Sequence, residues 1–159
     1  MTMIVIICSS LFVTADVIGQ NVVLLPYDRA YSQSACRDGL RHGEDKMVFT
    51  ALVNFTHLSD DWSRTVRFHS TDDRDQNFTY LCAVNLTKGC NRTHRIICYC
   101  NTTDDDGIHH IIVNITALSS YSHSGLQAYL VHSNLSRMYS GIQHFPKVSG
   151  NWKYHFLCT

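Results

Sequence analysis

The sequence has no surplus of either charge: Lys and Arg together number 13, as do Asp and Glu, for a formal net charge of zero at neutral pH. Without a basic or acidic field, nothing draws the chain toward nucleic acid, an anionic membrane surface or a polyanionic substrate. No apolar run after Val13 approaches the ~20 residues of a spanning helix. The C-terminal end is polar rather than a lipid-anchor tail, so no membrane span is expected. Internal repeats, low-complexity linkers and amphipathic helices of ordinary length are absent too. So are catalytic signatures: there is no Gly-x-Ser-x-Gly, no phosphate-cradling glycine loop and no His-Glu-x-x-His. Serines, histidines and acids occur without an organising motif, and the expectation is a protein that is not an enzyme and holds no cofactor.

What is present begins with an apolar centre from Ile4 to Val13, followed by small residues. This fits a secretory signal peptide over residues 1–19, with Val13-Thr14-Ala15 and Val17-Ile18-Gly19 both acceptable at the cleavage site. Cys8 would leave with it. Residues 20–159 then have the size of a single domain, with the patterned core at about 20–135 and a poorly patterned C-terminal segment.

The pattern in that core is one of strands. From Met47 to Phe55 the residues Met47, Phe49, Ala51, Val53 and Phe55 share one parity, and from Ile108 onward Ile111, Val113, Ile115 and Ala117 do the same. In an extended chain each set lines one face. Further short strands are expected at Asn21–Leu25, Trp62–Phe68, Phe78–Val84, Arg95–Tyr99, Leu126–Val131 and Trp152–Leu157. Between them lie turn-like stretches at Ser59-Asp60-Asp61, Ser70–Gln76, Asn101–Gly107 and Ser124-Gly125. Many short strands separated by turns predict an all-β protein, a sandwich or a barrel.

Asn-x-Ser/Thr sequons occur at Asn54, Asn77, Asn85, Asn91, Asn101, Asn114 and Asn134. So many in a short chain behind a signal peptide predict a heavily glycosylated, secreted, extracellular protein. Asn54 and Asn114 fall on the less apolar parity of their strands, where a glycan projects into solvent.

Cys36, Cys82, Cys90, Cys98, Cys100 and Cys158 remain after signal removal, an even set expected to form disulfides in an oxidising compartment. Cys98 and Cys100, two apart in one strand, share a face and cannot well bond each other, so each needs its own partner. Cys82 and Cys90 are the near candidates, Cys36 is placed to clip the N-terminal segment to the same region, and the partner of Cys158 stays open. Cys-x-Cys lacks the spacing of common structural zinc sites. His109 and His110 point to opposite faces of a strand and cannot clasp one ion. Asp60-Asp61, Asp72-Asp73 and Asp104-Asp105-Asp106 read as solvated turn residues. No metal site is expected.

The stretch IHHIIVNITALSSYSHSGLQAYLV, strand then Ser-Gly corner then strand, resembles the E strand, E-F corner and F strand of an immunoglobulin-superfamily domain. The family pattern is Asp-Ser/Ala-Gly/Ala-x-Tyr-x-Cys, matched here at Ser124-Gly125, with Gln127 and Tyr129 at the tyrosine and cysteine places. The resemblance implies an antiparallel, disulfide-stabilised β-sandwich. Trp62 or Phe68 would take the core tryptophan place, and Tyr129 the core site of the missing cysteine, facing Ala51 or Phe49. Neither Met47–Phe55 nor Leu126–Val131 holds a cysteine. The function implied is extracellular recognition, adhesion or immune defence through a protein or glycan partner. The alternative is a secreted β-barrel carrier of a small apolar ligand.

Overall fold

A computed structural model of the chain describes residues 21–26, 40–72, 77–90, 97–121 and 123–149. In chain order the strands are β1 (Val22–Leu24), β2 (Leu40–Arg41), β3 (Lys46–Val53), β4 (Thr65–Asp72), β5 (Phe78–Asn85), β6 (Cys98–Thr103), β7 (His109–Thr116), β8 (Ser124–Val131), β9 (Arg137–Tyr139), β10 (Gln143–His144) and β11 (Val148–Ser149). A 3-10 turn, Ser119–Tyr121, precedes β8. The first sheet has the order β1-β3-β7-β6 and the second β10-β8-β4-β5, with β9 also paired to β8. Both are antiparallel, and together they form an open, all-β sandwich. β2 and β11 make a separate parallel pair. The expected leader, Cys36, Asn91, Cys158 and the expected strand Trp152–Leu157 lie outside the described residues.

Alternation accounts for the layers. Met47, Phe49, Ala51 and Val53 of β3 and Ile111, Val113 and Ile115 of β7 face inward from the first sheet, while Val66 and Phe68 of β4 and Leu126, Ala128 and Leu130 of β8 face inward from the second. Two inner faces of interdigitating side chains are the core of a sandwich. Phe145 closes against it, its ring 5.6 Å from Phe49 and 4.9 Å from Tyr121.

β5 and β6 are edge strands of opposite sheets, and there the covalent links lie. Cys82 is bonded to Cys98 with Cα atoms 6.3 Å apart, and Cys90 to Cys100 at 5.3 Å. Cys98 and Cys100 both point into the core from β6, at 1% and 0% exposure.

Besides the turn expected at Asn101–Gly107, whose first three residues belong to β6, three expectations need correction. The polar run from Ser70 is loop-like in composition, yet β4 continues into it to Asp72, where a bulge in β5 opposite the Phe68–His69 step keeps it paired. There one step along β4 spans two along β5, which skips Leu81 and keeps the ladder paired. Trp62 precedes this strand; it is half-buried, bridges to His132 and packs on that ring at 4.9 Å, while Phe68 fills the core. The third correction concerns the Ser-Gly corner. β8 starts at Ser124, and Gly125 lies within the strand between Thr71 and His144. A Cβ there would meet Ile142 Cγ2 at 2.5 Å and the Gln143 carbonyl oxygen at 3.1 Å, so close strand approach, not a corner, requires this glycine. With the strand begun earlier, the inward set is Leu126, Ala128 and Leu130, and Tyr129 turns outward, away from Ala51 and Phe49. A single-residue offset exchanges the faces of a whole strand.

Candidate recognition surface

The outward face of the second sheet collects side chains that a solvated sheet rarely presents together. Arg67 lies opposite Tyr129, which lies opposite Tyr139; in the next row Tyr80, His69 and Gln127 are partners, and Phe78 pairs with Thr71 beyond them. Phe78, Tyr80 and Tyr139 are 58%, 60% and 42% exposed. Segments 65–71, 78–85, 124–131 and 137–139 contain Arg67 and Arg137 and no Asp or Glu.

His69 is the centre of this face. Its ring lies 4.7 Å from Phe78, 5.1 Å from Tyr129 and 6.0 Å from Tyr139, and only 4% of the residue reaches solvent. The Gln127 amide nitrogen donates to the Ser140 carbonyl at 3.0 Å, so its oxygen faces His69 Nε2 at 3.1 Å. That orientation assigns the proton to Nε2. Burial holds the His69 pKa below the ordinary histidine value, against the raising effect of the Gln127 hydrogen bond and with help from the Arg137 charge. The centre of the patch is therefore a neutral imidazole.

Arg137 reaches the Tyr139 hydroxyl at 3.3 Å and lies 5.4 Å over the Tyr129 ring. The Arg67 Nη1 is enclosed and meets no acceptor among the described residues. The result is a firm aromatic floor with exposed rings around it, two guanidiniums and no carboxylate of its own. Such a face offers stacking, desolvation of apolar area and hydrogen bonds to acceptors; it offers no nucleophile paired with a base.

The Asp-rich turn between β6 and β7 is knit by its own backbone. Asp104 Oδ1 accepts from the N–H groups of Ile108 at 2.8 Å and Asp106 at 3.1 Å, Oδ2 meets His110 Nε2 at 3.3 Å, and Gly107 takes φ of 77° to close the turn. The hydrogen bond from Ile108 is the main cause that holds the Asp104 carboxyl below its usual range. His109 instead bonds Thr103 at 2.7 Å and packs on Phe55. The adjacent histidines thus serve different partners, and no group of three metal-ligating side chains occurs among the described residues.

Of the sequons, Asn77, Asn85, Asn101 and Asn134 are exposed, and Asn54 and Asn114 are half-buried. Asn77, Asn85 and Asn134 lie at the margin of the recognition face, just before β5, at its last residue and in the β8–β9 turn. Asn114 sits in the middle of β7, opposite Val48, on the outward face of the other sheet.

The sequence did not reveal this patch. Phe78 and Tyr80 share the sequence parity of the inward Cys82 and Val84, so only the bulge turns them outward. The loop-like composition of Ser70–Gln76 and the core place that the family pattern implies for Tyr129 conceal the rest of the patch. No family model matches the chain, and no curated protein is significantly similar to it.

Proposed function

We propose that this chain is a secreted, glycosylated recognition domain of immunoglobulin type that binds an extracellular protein or glycan partner through the outward face of its second sheet. The observation that carries the reading is the group of exposed rings, Phe78, Tyr80 and Tyr139, gathered around buried His69 beside Arg67 and Arg137. Exposed apolar area concentrated on one face marks interaction sites. Tyrosine, other aromatics and arginine are the residues enriched at interface centres.

Topology supports the family reading. The order β1-β3-β7-β6 opposite β10-β8-β4-β5, with β9 also paired to β8 and taking the G place, parallels the ABED and GFC sheets of an immunoglobulin sandwich, with a further strand on the C edge. The usual B–F disulfide is replaced by apolar residues, Phe49 and Ala51 on β3 and Ala128 on β8, while Cys82–Cys98 spans the sheets at another place. Disulfides also favour an oxidising compartment, and no described helix is long and apolar enough to cross a membrane.

Binding of the tagged, secreted protein to intact cells of its source tissue, read by flow cytometry, tests the proposal. Tyr80→Ala with Tyr139→Ala should weaken binding by about thirtyfold, the effect of losing ~2 kcal/mol at an interface centre. Thr50→Ala, on the outward face of the other sheet, should leave it unchanged. The assignment fails if the folded double variant binds like the parent.

A further inference from the structure

Three sequons share one geometry. The side-chain oxygen of Asn54 accepts from the backbone N–H of Thr56 at 2.8 Å, that of Asn85 from Thr87 at 2.9 Å, and that of Asn134 from Ser136 at 2.9 Å. In each the donor is the hydroxyl residue of the sequon itself, so the chain bends back at the asparagine. With the oxygen tied inward, the amide nitrogen projects away from the turn. All three sit just where regular structure ends: after β3, at the last residue of β5 and between β8 and β9.

Asn114, half-buried like Asn54, differs in backbone setting and in its side-chain hydrogen bonding. It lies mid-strand in β7, with Val48 opposite on β3 and its N–H donated to Ile97 at 2.6 Å. Its side-chain oxygen is enclosed with no donor among the described residues. The flanking Val113 and Ile115 are β-branched and favour the extended chain over a bend.

We infer that Asn54, Asn85 and Asn134 are glycan acceptors and that Asn114 stays bare. The deepening rests on the secretory reading above. In the transfer, Nδ2 forms a bond to the anomeric carbon of a saccharide carried on a lipid pyrophosphate. The carbon–oxygen bond to that pyrophosphate breaks, the lipid pyrophosphate leaves, and the amide nitrogen gives one proton to a base. An amide lone pair is delocalised into its carbonyl, so the acceptor must be presented in a bend that exposes the nitrogen beside the hydroxyl residue. The three turns do this in the chain's own local structure, and Asn114 does not. The consequence for recognition is geometric: glycans at Asn85 and Asn134 border the aromatic face without covering it.

The test is site-by-site mapping of the full chain secreted from a glycosylating eukaryotic host. Enzymatic deglycosylation in heavy-oxygen water marks each formerly occupied asparagine as labelled aspartate, and peptide mass spectrometry reads the fraction. Expression with the native N-terminus is run beside expression with a heterologous signal ahead of residue 20. In the second preparation, near-complete labelling of Asn54, Asn85 and Asn134 with less than a tenth at Asn114 is expected. Substantial labelling of Asn114, or absence of label from the three turn asparagines, overturns the inference. An unmodified product from the native N-terminus alone overturns the secretory reading instead.

Discussion

Removing one staple at a time gives the sharpest test of how the sandwich is held. Cys82–Cys98 closes a separation of 16 residues and Cys90–Cys100 one of 10. Taken alone, the chain-entropy relation gives about 3.1 kcal/mol for the longer loop and about 2.7 for the shorter. The loops overlap, however. With Cys90–Cys100 intact, the path between Cys82 and Cys98 shortens to eight residues down to Cys90 and two back from Cys100. When Cys82–Cys98 is the one left, Cys90 reaches Cys98 by two parallel arms of eight residues, so Cys90–Cys100 then closes only about six residues' worth of chain. Cys82→Ala with Cys98→Ala should therefore cost about 2.6 kcal/mol and Cys90→Ala with Cys100→Ala about 2.2. Removing both should cost about 5.3 kcal/mol by either order, which approaches the whole stability of an ordinary domain. Equilibrium urea unfolding without reductant measures this, with the slope compared among variants to show that the unfolded state is not changing compactness. Either single removal costing under about 1 kcal/mol, or one costing twice the other, would refute the shared-loop reasoning.

Two further outcomes follow from placement of side chains. Phe68→Ala, which empties a fully buried aromatic site, should destabilise by about 3–5 kcal/mol. Tyr129→Ala, outward and held by the His69 and Tyr139 rings at 5.1 and 5.6 Å, should cost about 1–2 kcal/mol by the same urea assay. The depressed pKa of His69 sets a pH dependence: below the ordinary value of 6.5 the unfolded chain binds this proton better than the folded one. Its contribution is thus present above about pH 6.5 and lost as pH falls through the lower folded value; His109, depressed by burial, acts with the same sign. The urea midpoint should drop between pH 7.5 and 5.5, and His69→Gln should flatten that slope; an unchanged slope would show that the imidazole is not desolvated in the way its ring contacts imply.

Strands whose two faces differ strongly in polarity were legible in the sequence. β3 and β7 keep the parity of Met47, Phe49, Ala51 and Val53 and of Ile111, Val113 and Ile115, because burial on one face specifies register. β4 was only half legible, since Val66 and Phe68 mark its start while the buried His69, Ser70 and Thr71 carry no apolar signal and depend on a bulge made with another strand. A bulge is a relation between two chains segments far apart in sequence, and no local pattern announces it. β8 has alternating small and large residues on both parities, Ala128 within and Tyr129 without, so side-chain size pointed to the wrong face. β9, β10 and β11 are two or three residues each and owe their pairing to β8 and β2 rather than to composition.

The bulge that concealed β4 also builds the recognition surface. By skipping Leu81 it brings Tyr80 opposite His69 and carries the ladder on to Phe78 opposite Thr71, which sets both exposed rings of β5 on the same face as Tyr129 and Tyr139. Gln127 then ties the central imidazole to the Ser140 carbonyl, the Ser140 hydroxyl accepts from the Ala128 N–H at 3.0 Å and the Ser140 N–H donates to the Ala128 carbonyl at 2.9 Å, so the segment after β9 is held to β8 through three hydrogen bonds. Rings packed on a hydrogen-bonded neutral histidine have little freedom left to lose when a partner arrives, and ordering of side chains is one of the main costs of association. A surface made of strands rather than loops needs this kind of stiffening from within its own face. A charged imidazole at the centre would introduce an N–H without a partner beneath the aromatic floor and a cation beside Arg137, so the neutral state that burial enforces is also the state in which the face is complete.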